Sequence, residues 1–142
     1  MKTKNITIPH YEVACAVIEK DNKILCCRRG PKGETAYKWE FPGGKIEPGE
    51  TKEQALIREL KEELNTSIKI NKFLTTVNYE YNTFKVTLHV YLCELASDSY
   101  ELIVHSECKW VDKDKLAELD FAAADYQFLD LLKWPCKKTS GK

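Results

Sequence analysis

Three glutamates crowd the second half of one short helical segment, directly behind a loop with two adjacent glycines, and nothing else in the chain constrains it as much. The loop runs Trp39-Glu-Phe-Pro-Gly-Gly-Lys-Ile-Glu-Pro-Gly-Glu50, and the helix is predicted over Thr51–Leu64. Thr51 can cap that helix, with Gln54 three residues on, the spacing of a capping box. Ala55, Leu56, Leu60 and Leu64 recur at helical spacing as one apolar face. Asn65 is a suitable stop, because asparagine tolerates the left-handed conformation. Glu59, Glu62 and Glu63 fall at i, i+3 and i+4, which predicts three carboxylates projecting from one side. Like charges at that spacing destabilise a helix by ~0.2–0.5 kcal/mol per pair. Arg58 and Lys61 relieve part of the repulsion. A divalent cation would relieve more, and clustered carboxylates with water suit hard Mg²⁺. Taken alone, the three glutamates also fit a solvated acidic face.

The loop decides between these readings. Gly43 and Gly44 let backbone approach a ligand closely, and Glu50 adds a carboxylate beside the helix cap. Gly44-x4-Gly49 nearly matches a phosphate-binding P-loop, but Glu50 stands where the phosphate-seeking lysine belongs. The segment therefore suits a cation, with phosphate met through it.

Composition sets the frame. The 142 residues are 43% hydrophobic and 31% charged, which suits a single folded domain over 1–142 and excludes a disordered chain. Basic and acidic residues number 22 each, so no overall basic field exists to hold a nucleic-acid polymer or an anionic membrane. Between Glu40 and Glu63, however, seven glutamates face four basic residues, a local excess that repels polyphosphate until a cation binds. The longest apolar stretches, such as Val13–Ile18, are far too short to span a bilayer, and the polar N-terminus lacks a signal-peptide core, so the cytoplasm is the expected compartment. The six cysteines form no C-x-x-C pair and are expected to be reduced, largely buried hydrophobes.

Around the helix, Tyr11–Ile18 and Lys23–Arg28 read as strands joined at Glu19–Asn22, and Arg28–Lys38 as a surface loop. Ile68–Tyr81 and Phe84–Leu95 read as two long strands, and Glu107–Val111 as a short one. Lys113–Leu119 and Ala124–Trp134 read as helices, the second ended by Pro135, with the tail after Cys136 frayed. The pattern is an α+β domain with a central sheet flanked by helices.

The loop and helix together resemble the Nudix hydrolase signature: Gly, five residues, Glu, seven residues, then Arg-Glu-aliphatic-x-Glu-Glu-x-Gly-aliphatic. Here Gly44 is followed by Glu50 and by Arg58-Glu59-Leu60-Lys61-Glu62-Glu63, with every charged position matched. Asn65 replaces the closing glycine and Thr66 the last aliphatic residue. The resemblance implies an α/β/α sandwich with a central mixed sheet, and Mg²⁺- or Mn²⁺-dependent hydrolysis of a nucleoside diphosphate linked to another group. It implies metal binding by Glu59, Glu62, Glu63 and the Gly44 carbonyl, water activation by Glu59 or a neighbour, and an Arg58–Glu50 pair fixing the helix on its loop.

Outside the signature the chain resembles the MutT-like branch, which includes CTP pyrophosphohydrolases. Arg29, at the end of Leu25-Cys-Cys-Arg-Arg29, and Lys45 match phosphate-contacting positions. Phe121-Ala-Ala-Ala-Asp125 resembles the segment that sets Asn or Asp against the base edge, although Asp125 also suits a helix N-terminus. A carboxylate there accepts hydrogen bonds and so favours an exocyclic amino group such as cytosine N4. His105 and Trp110 fit a late-strand spacing in which a glutamate often precedes the histidine; here that residue is Val104, leaving Glu101 or Glu107 as substitutes.

The expected reaction is conversion of a nucleoside triphosphate, such as CTP, dCTP or a 5-substituted relative, to monophosphate and pyrophosphate. Sanitation of oxidised purine triphosphates such as 8-oxo-dGTP is the alternative from the same branch. A non-catalytic nucleotide-binding module is the alternative from another class. A small nucleotide is the expected partner, and a homodimer is a fair expectation for such folds.

Overall fold

The first two strands close on a tight turn because Asp21 and Asn22 both adopt positive φ, 54° and 67°, as a two-residue type I′ hairpin requires. The computed structural model describes residues 7–97, 100–101 and 107–132. The strands are β1 (His10–Lys20), β2 (Lys23–Arg28), β3 (Trp39–Glu40), β4 (Gly43–Lys45), β5 (Ile68–Glu80), β6 (Lys85–Leu95) and β7 (Glu107–Asp112). They form one mixed sheet of seven strands, as the α/β/α reading requires. β1 is its hub. It runs parallel to β6 from His10↔Lys85 to Ile18↔Cys93, antiparallel to β4, and joins β2 at its far end. β5 and β6 make a long antiparallel hairpin, while β2 carries β3 on one side and β7 on the other.

The helix α1 (Lys52–Leu64) covers one face, for the reasons legible in its sequence. Thr51 Oγ1 accepts the Gln54 N–H at 3.0 Å, and Gln54 Oε1 accepts the Thr51 N–H at 2.9 Å. A cap of this type contributes about 1 kcal/mol. Asn65 ends the helix in the left-handed conformation, φ 47°. Leu56, Leu60 and Leu64, all fully buried, pack with Ala14, Ala16, Ile18, Leu25, Cys27, Tyr91 and Cys93.

The opposite face is covered by shorter pieces: a 3₁₀ turn (Lys113–Glu118), the single-turn helix α2 (Ala123–Tyr126) and a second 3₁₀ turn (Leu129–Leu132). The continuous helix expected from Ala124 is thus broken within the described residues; its end at Trp134, Pro135 and Cys136 lies outside them. Packing overrides periodicity here. Phe41 sits between Phe121 and Phe128, with ring centroids 5.0 and 5.2 Å away, and Trp39 bridges to Phe121 at the backbone. Short turns follow that sheet edge where one straight helix would lift away from it.

β6 lies between two neighbours and is buried on both faces, one of them mixed as its alternation predicts. Val86, Leu88 and Val90 join the second core. On the other side His89 binds Glu12 at 2.7 Å and Thr76 at 3.1 Å, and Thr87 binds His10 and Asn78 at 2.7 Å each. Cys15, Cys26, Cys27 and Cys93 are buried free thiols and Cys108 is partly exposed, consistent with a packing role. Among the described residues no helix is long and apolar enough to cross a membrane.

Candidate active site

The signature arginine organises the helix–loop junction. Arg58 gives Nε and Nη2 to the two carboxylate oxygens of Glu50 at 2.7 and 2.9 Å, and Nη2 also donates to the Lys45 carbonyl at 2.9 Å. Its Nη1 reaches Glu59 at 2.7 Å and Glu62 at 3.2 Å. A planar fork that satisfies a carboxylate bidentately suits this position, and lysine could not replace it. The arginine, followed by the Glu47 N–H, holds the Glu50 carboxyl down to about 2.

The three signature glutamates do not share one environment. A helix turns 100° per residue, so Glu63 lies about 40° from Glu59, while Glu62 lies about 60° away on the other side. Glu59 and Glu63 line a cleft of about 510 Å³, whereas Glu62 is not among its lining residues, is 58% exposed and turns toward Arg58. Gly44 packs directly on Glu59: a Cβ there would overlap the carboxylate. A Cβ on Gly43 would instead strike the backbone of Ala14 and Cys15. The glycine pair is thus required where α1, β4 and β1 meet.

The cleft gathers most of the other expected residues. Arg29 lies in it with Nη1 3.2 Å from Glu40 Oε1, and Lys45 places Nζ 4.0 Å above the Tyr11 ring. Asp125 enters from α2, only 7% exposed, and its Oδ2 accepts the Phe41 N–H at 3.0 Å. Burial, with Glu40 nearby, pushes its carboxyl up to about 8. The rise favours the neutral acid, in which the remaining oxygen of Asp125 can donate as well as accept. The acceptor-only argument for cytosine loses its force.

Glu101 and Glu107 do not supply the carboxylate missing at Val104. Glu101 binds the Asn65 side chain at 2.6 Å beyond the end of α1, and Glu107 stands 3.6 Å from Arg28. Neither lines the cleft, and Val104 and His105 lie outside the described residues. A further carboxylate that does line the cleft is Glu40, which the sequence counted in the acidic cluster without giving it a role of its own. Its signal was slight: a lone acid between two buried aromatics, Trp39 and Phe41. Glu40 and Glu59 add to burial in pushing the Glu63 carboxyl up to about 9, while the Gly43 N–H acts against the rise.

Six acidic side chains (Glu34, Glu40, Glu47, Glu59, Glu63 and Asp125) line this cleft against two cations, Arg29 and Lys45, and burial keeps two of them, Glu63 and Asp125, from ionising readily. Glu34 is tied to Asn82 and Thr83, but Glu40, Glu59 and Glu63 form a donor set that fits a divalent metal, whose charge would favour the ionised form of Glu63 that burial and its neighbours oppose. Among the described residues no three His, Cys, Asp or Glu side chains are grouped so that they could hold a metal ion by themselves, so water or substrate phosphate would have to complete its coordination. An open carboxylate site matches the habit of Mg²⁺, which keeps several waters and takes substrate phosphates as ligands.

Comparison with known proteins identifies the family. The family model for the NUDIX domain matches residues 13–131. A CTP pyrophosphohydrolase of Escherichia coli is 32% identical over 119 residues, covering 84% of this chain and 88% of that protein. An 8-oxo-dGTP diphosphatase of Proteus vulgaris is 40% identical over 81 residues, 56% of this chain and 72% of that protein. The crystal structure of a MutT protein from Methanosarcina mazei Go1 superposes with a TM-score of 0.79 at 26% identity, over 90% of this chain and 96% of that one. Since the family match runs from the hub strand past α2 and takes in the whole glycine–glutamate junction, the chain belongs to the Nudix hydrolase family.

Proposed function

We propose that this Nudix hydrolase cleaves a nucleoside triphosphate to the monophosphate and pyrophosphate in a Mg²⁺- or Mn²⁺-dependent reaction. One observation carries the reading: a single cleft joins the carboxylates Glu40, Glu59 and Glu63 to an aromatic wall of Tyr11, Tyr81 and Phe84 that ends at Asp125. Polyphosphate and base need such opposite surroundings side by side. The match over most of the chain supports one catalytic domain.

Glu59, Glu63 and the Gly44 carbonyl, with Glu62 at the rim, are the residues to hold the metal. When bound, it would screen the polyphosphate, stabilise the leaving pyrophosphate and lower the pKa of a water. Glu59 or a neighbouring carboxylate takes the proton of the attacking water. Arg58 and Glu50 keep α1 seated on its loop. Arg29 and Lys45 meet phosphate oxygens, Arg29 exchanging its Glu40 partner for substrate. Asp125 faces the base edge.

CTP, dCTP or a 5-substituted relative is the preferred substrate class, supported by the relative that covers most of the chain. Oxidised purine triphosphates are the second reading, supported by the 8-oxo-dGTP diphosphatase relative and by the raised Asp125 carboxyl, which when protonated presents both a donor and an acceptor to a purine edge. Pyrophosphate release from a nucleotide panel, with and without Mg²⁺, tests the proposal. Turnover of no triphosphate, or unchanged rates in Glu62→Gln and Glu63→Gln, would overturn it. Asp125→Ala should reorder the bases without altering metal dependence; an unchanged order would remove its base-reading role.

A further inference from the structure

The loop between β2 and β3 carries a carboxylate that the reaction does not use. Glu34 reaches across the mouth of the cleft to the tip of the β5–β6 hairpin, nearly fifty residues away in the chain. Its Oε2 accepts the Asn82 N–H at 2.9 Å, and its Oε1 accepts both the Thr83 N–H at 2.9 Å and the Thr83 hydroxyl at 2.8 Å. Two successive backbone amides and a hydroxyl converge on one charged group, a strong and directional arrangement.

Both partners form walls of the cleft. Gly33, Glu34 and Thr35 come from the loop, and Tyr81 and Phe84 flank the hairpin tip. The tip is itself well defined: the Tyr81 N–H donates to the Phe84 carbonyl at 2.8 Å, and the two rings stack with centroids 4.7 Å apart. Phe84 leans on Tyr11 at 5.8 Å, and the Tyr81 hydroxyl accepts the Ala124 N–H at 2.9 Å, next to Asp125. Glu34 therefore fixes the aromatic wall at one end, while α2 fixes it at the other. The loop is shaped to deliver this carboxylate, with Gly33 at φ 84° and the Tyr37 N–H bonded to the Gly30 carbonyl at 3.0 Å. The contact itself is exposed to solvent, so it can open and reclose without disturbing the core.

We propose that Glu34 is a positioning residue, a latch joining the Gly30–Lys38 loop to the hairpin tip so that the cleft closes around the nucleoside end of the substrate. The inference rests on the nucleotide reading above. Glu34 touches no phosphate in this scheme, so it contributes to binding of the nucleoside and not to bond cleavage.

The test takes the triphosphate that the wild type turns over fastest, and Glu34→Ala with Glu34→Gln as a milder second variant. Glu34→Ala should raise KM about tenfold, the scale of one charge-assisted hydrogen bond, and keep kcat within about twofold. Inhibition by the corresponding nucleoside monophosphate should weaken by the same factor, while inhibition by pyrophosphate stays unchanged. Glu34→Gln, which keeps one acceptor oxygen, should fall between. Unchanged KM and unchanged monophosphate inhibition would overturn the latch, as would an equal loss of monophosphate and pyrophosphate binding. Amide hydrogen exchange separates this outcome from failure of the nucleotide reading. If the wild type cleaves no triphosphate, that reading falls alone, and the latch still requires slow exchange at Asn82 and Thr83 that becomes fast in Glu34→Ala. Equal exchange in both proteins would refute it.

Discussion

Loading the cleft with a divalent cation should expel a proton, because Glu63 titrates near 9 in the metal-free protein instead of at the ordinary 4.5. Burial is the main cause, and the adjacent Glu40 and Glu59 reinforce it. A ligating carboxylate must be ionised. At pH 7 Glu63 lies below this raised value, so freeing it weakens apparent metal affinity by on the order of tenfold to a thousandfold. Affinity for Mg²⁺ or Mn²⁺ should therefore climb roughly tenfold per pH unit between pH 6 and 8 and level off above about 9. Titration calorimetry at pH 7 in two buffers of different ionisation enthalpy counts the protons, and about one per cation is expected from this residue. Glu63→Gln should abolish the release and flatten the pH dependence. A flat affinity in the wild type, or binding without proton release, would refute the reasoning. The same shift governs the metal-free fold. Below about pH 4.5 Glu63 is neutral in both states; from there to about 9 the unfolded chain ionises first, so this group's contribution to stability falls as pH rises. Added Mg²⁺ should restore the lost stability most strongly at the alkaline end.

Glu50 should act in the opposite direction. With its carboxyl at about 2 in the fold, its stabilising effect is present above 4.5 and lost as pH falls toward 2, so Arg58→Lys should move the acid-unfolding midpoint, followed by circular dichroism, to higher pH. Gly44→Ala pushes a methyl into the Glu59 side chain and should cut kcat at least about tenfold with little change in melting temperature, whereas Gly43→Ala strikes the backbone of Ala14 and should lower that temperature. Leu60→Ala, in the centre of the α1 interface, should reduce the unfolding free energy in urea by about 2–5 kcal/mol while sparing turnover per folded molecule.

Local rules account for what could be read without coordinates. Capping at Thr51, the apolar face through Leu56, Leu60 and Leu64, and the stop at Asn65 each depend on residues within one or two turns. The extents of β1, β2, β5 and β6 follow from short-range alternation and turn residues, and their observed ends lie within a residue or two of expectation. The family resemblance, and not spacing alone, implied the pairing of Arg58 with Glu50 that the structure has. Spacing set Glu62 on one side of the helix with Glu59 and Glu63 but did not decide which of the three the cleft admits.

What the sequence determined by itself, then, is the α1 unit, the hairpins and the identity of the acidic junction, because those interactions close over short stretches of chain. The tertiary structure alone decided which carboxylates meet. Glu40 and Asp125 come to line one cleft, and Glu34 reaches the hairpin tip, through pairings between segments tens of residues apart, and no periodicity encodes such meetings. Burial then set the protonation of Asp125 and Glu63. A carboxyl's charge depends on the water and the neighbours left to it, and these exist only once the sheet and its two helical layers have assembled.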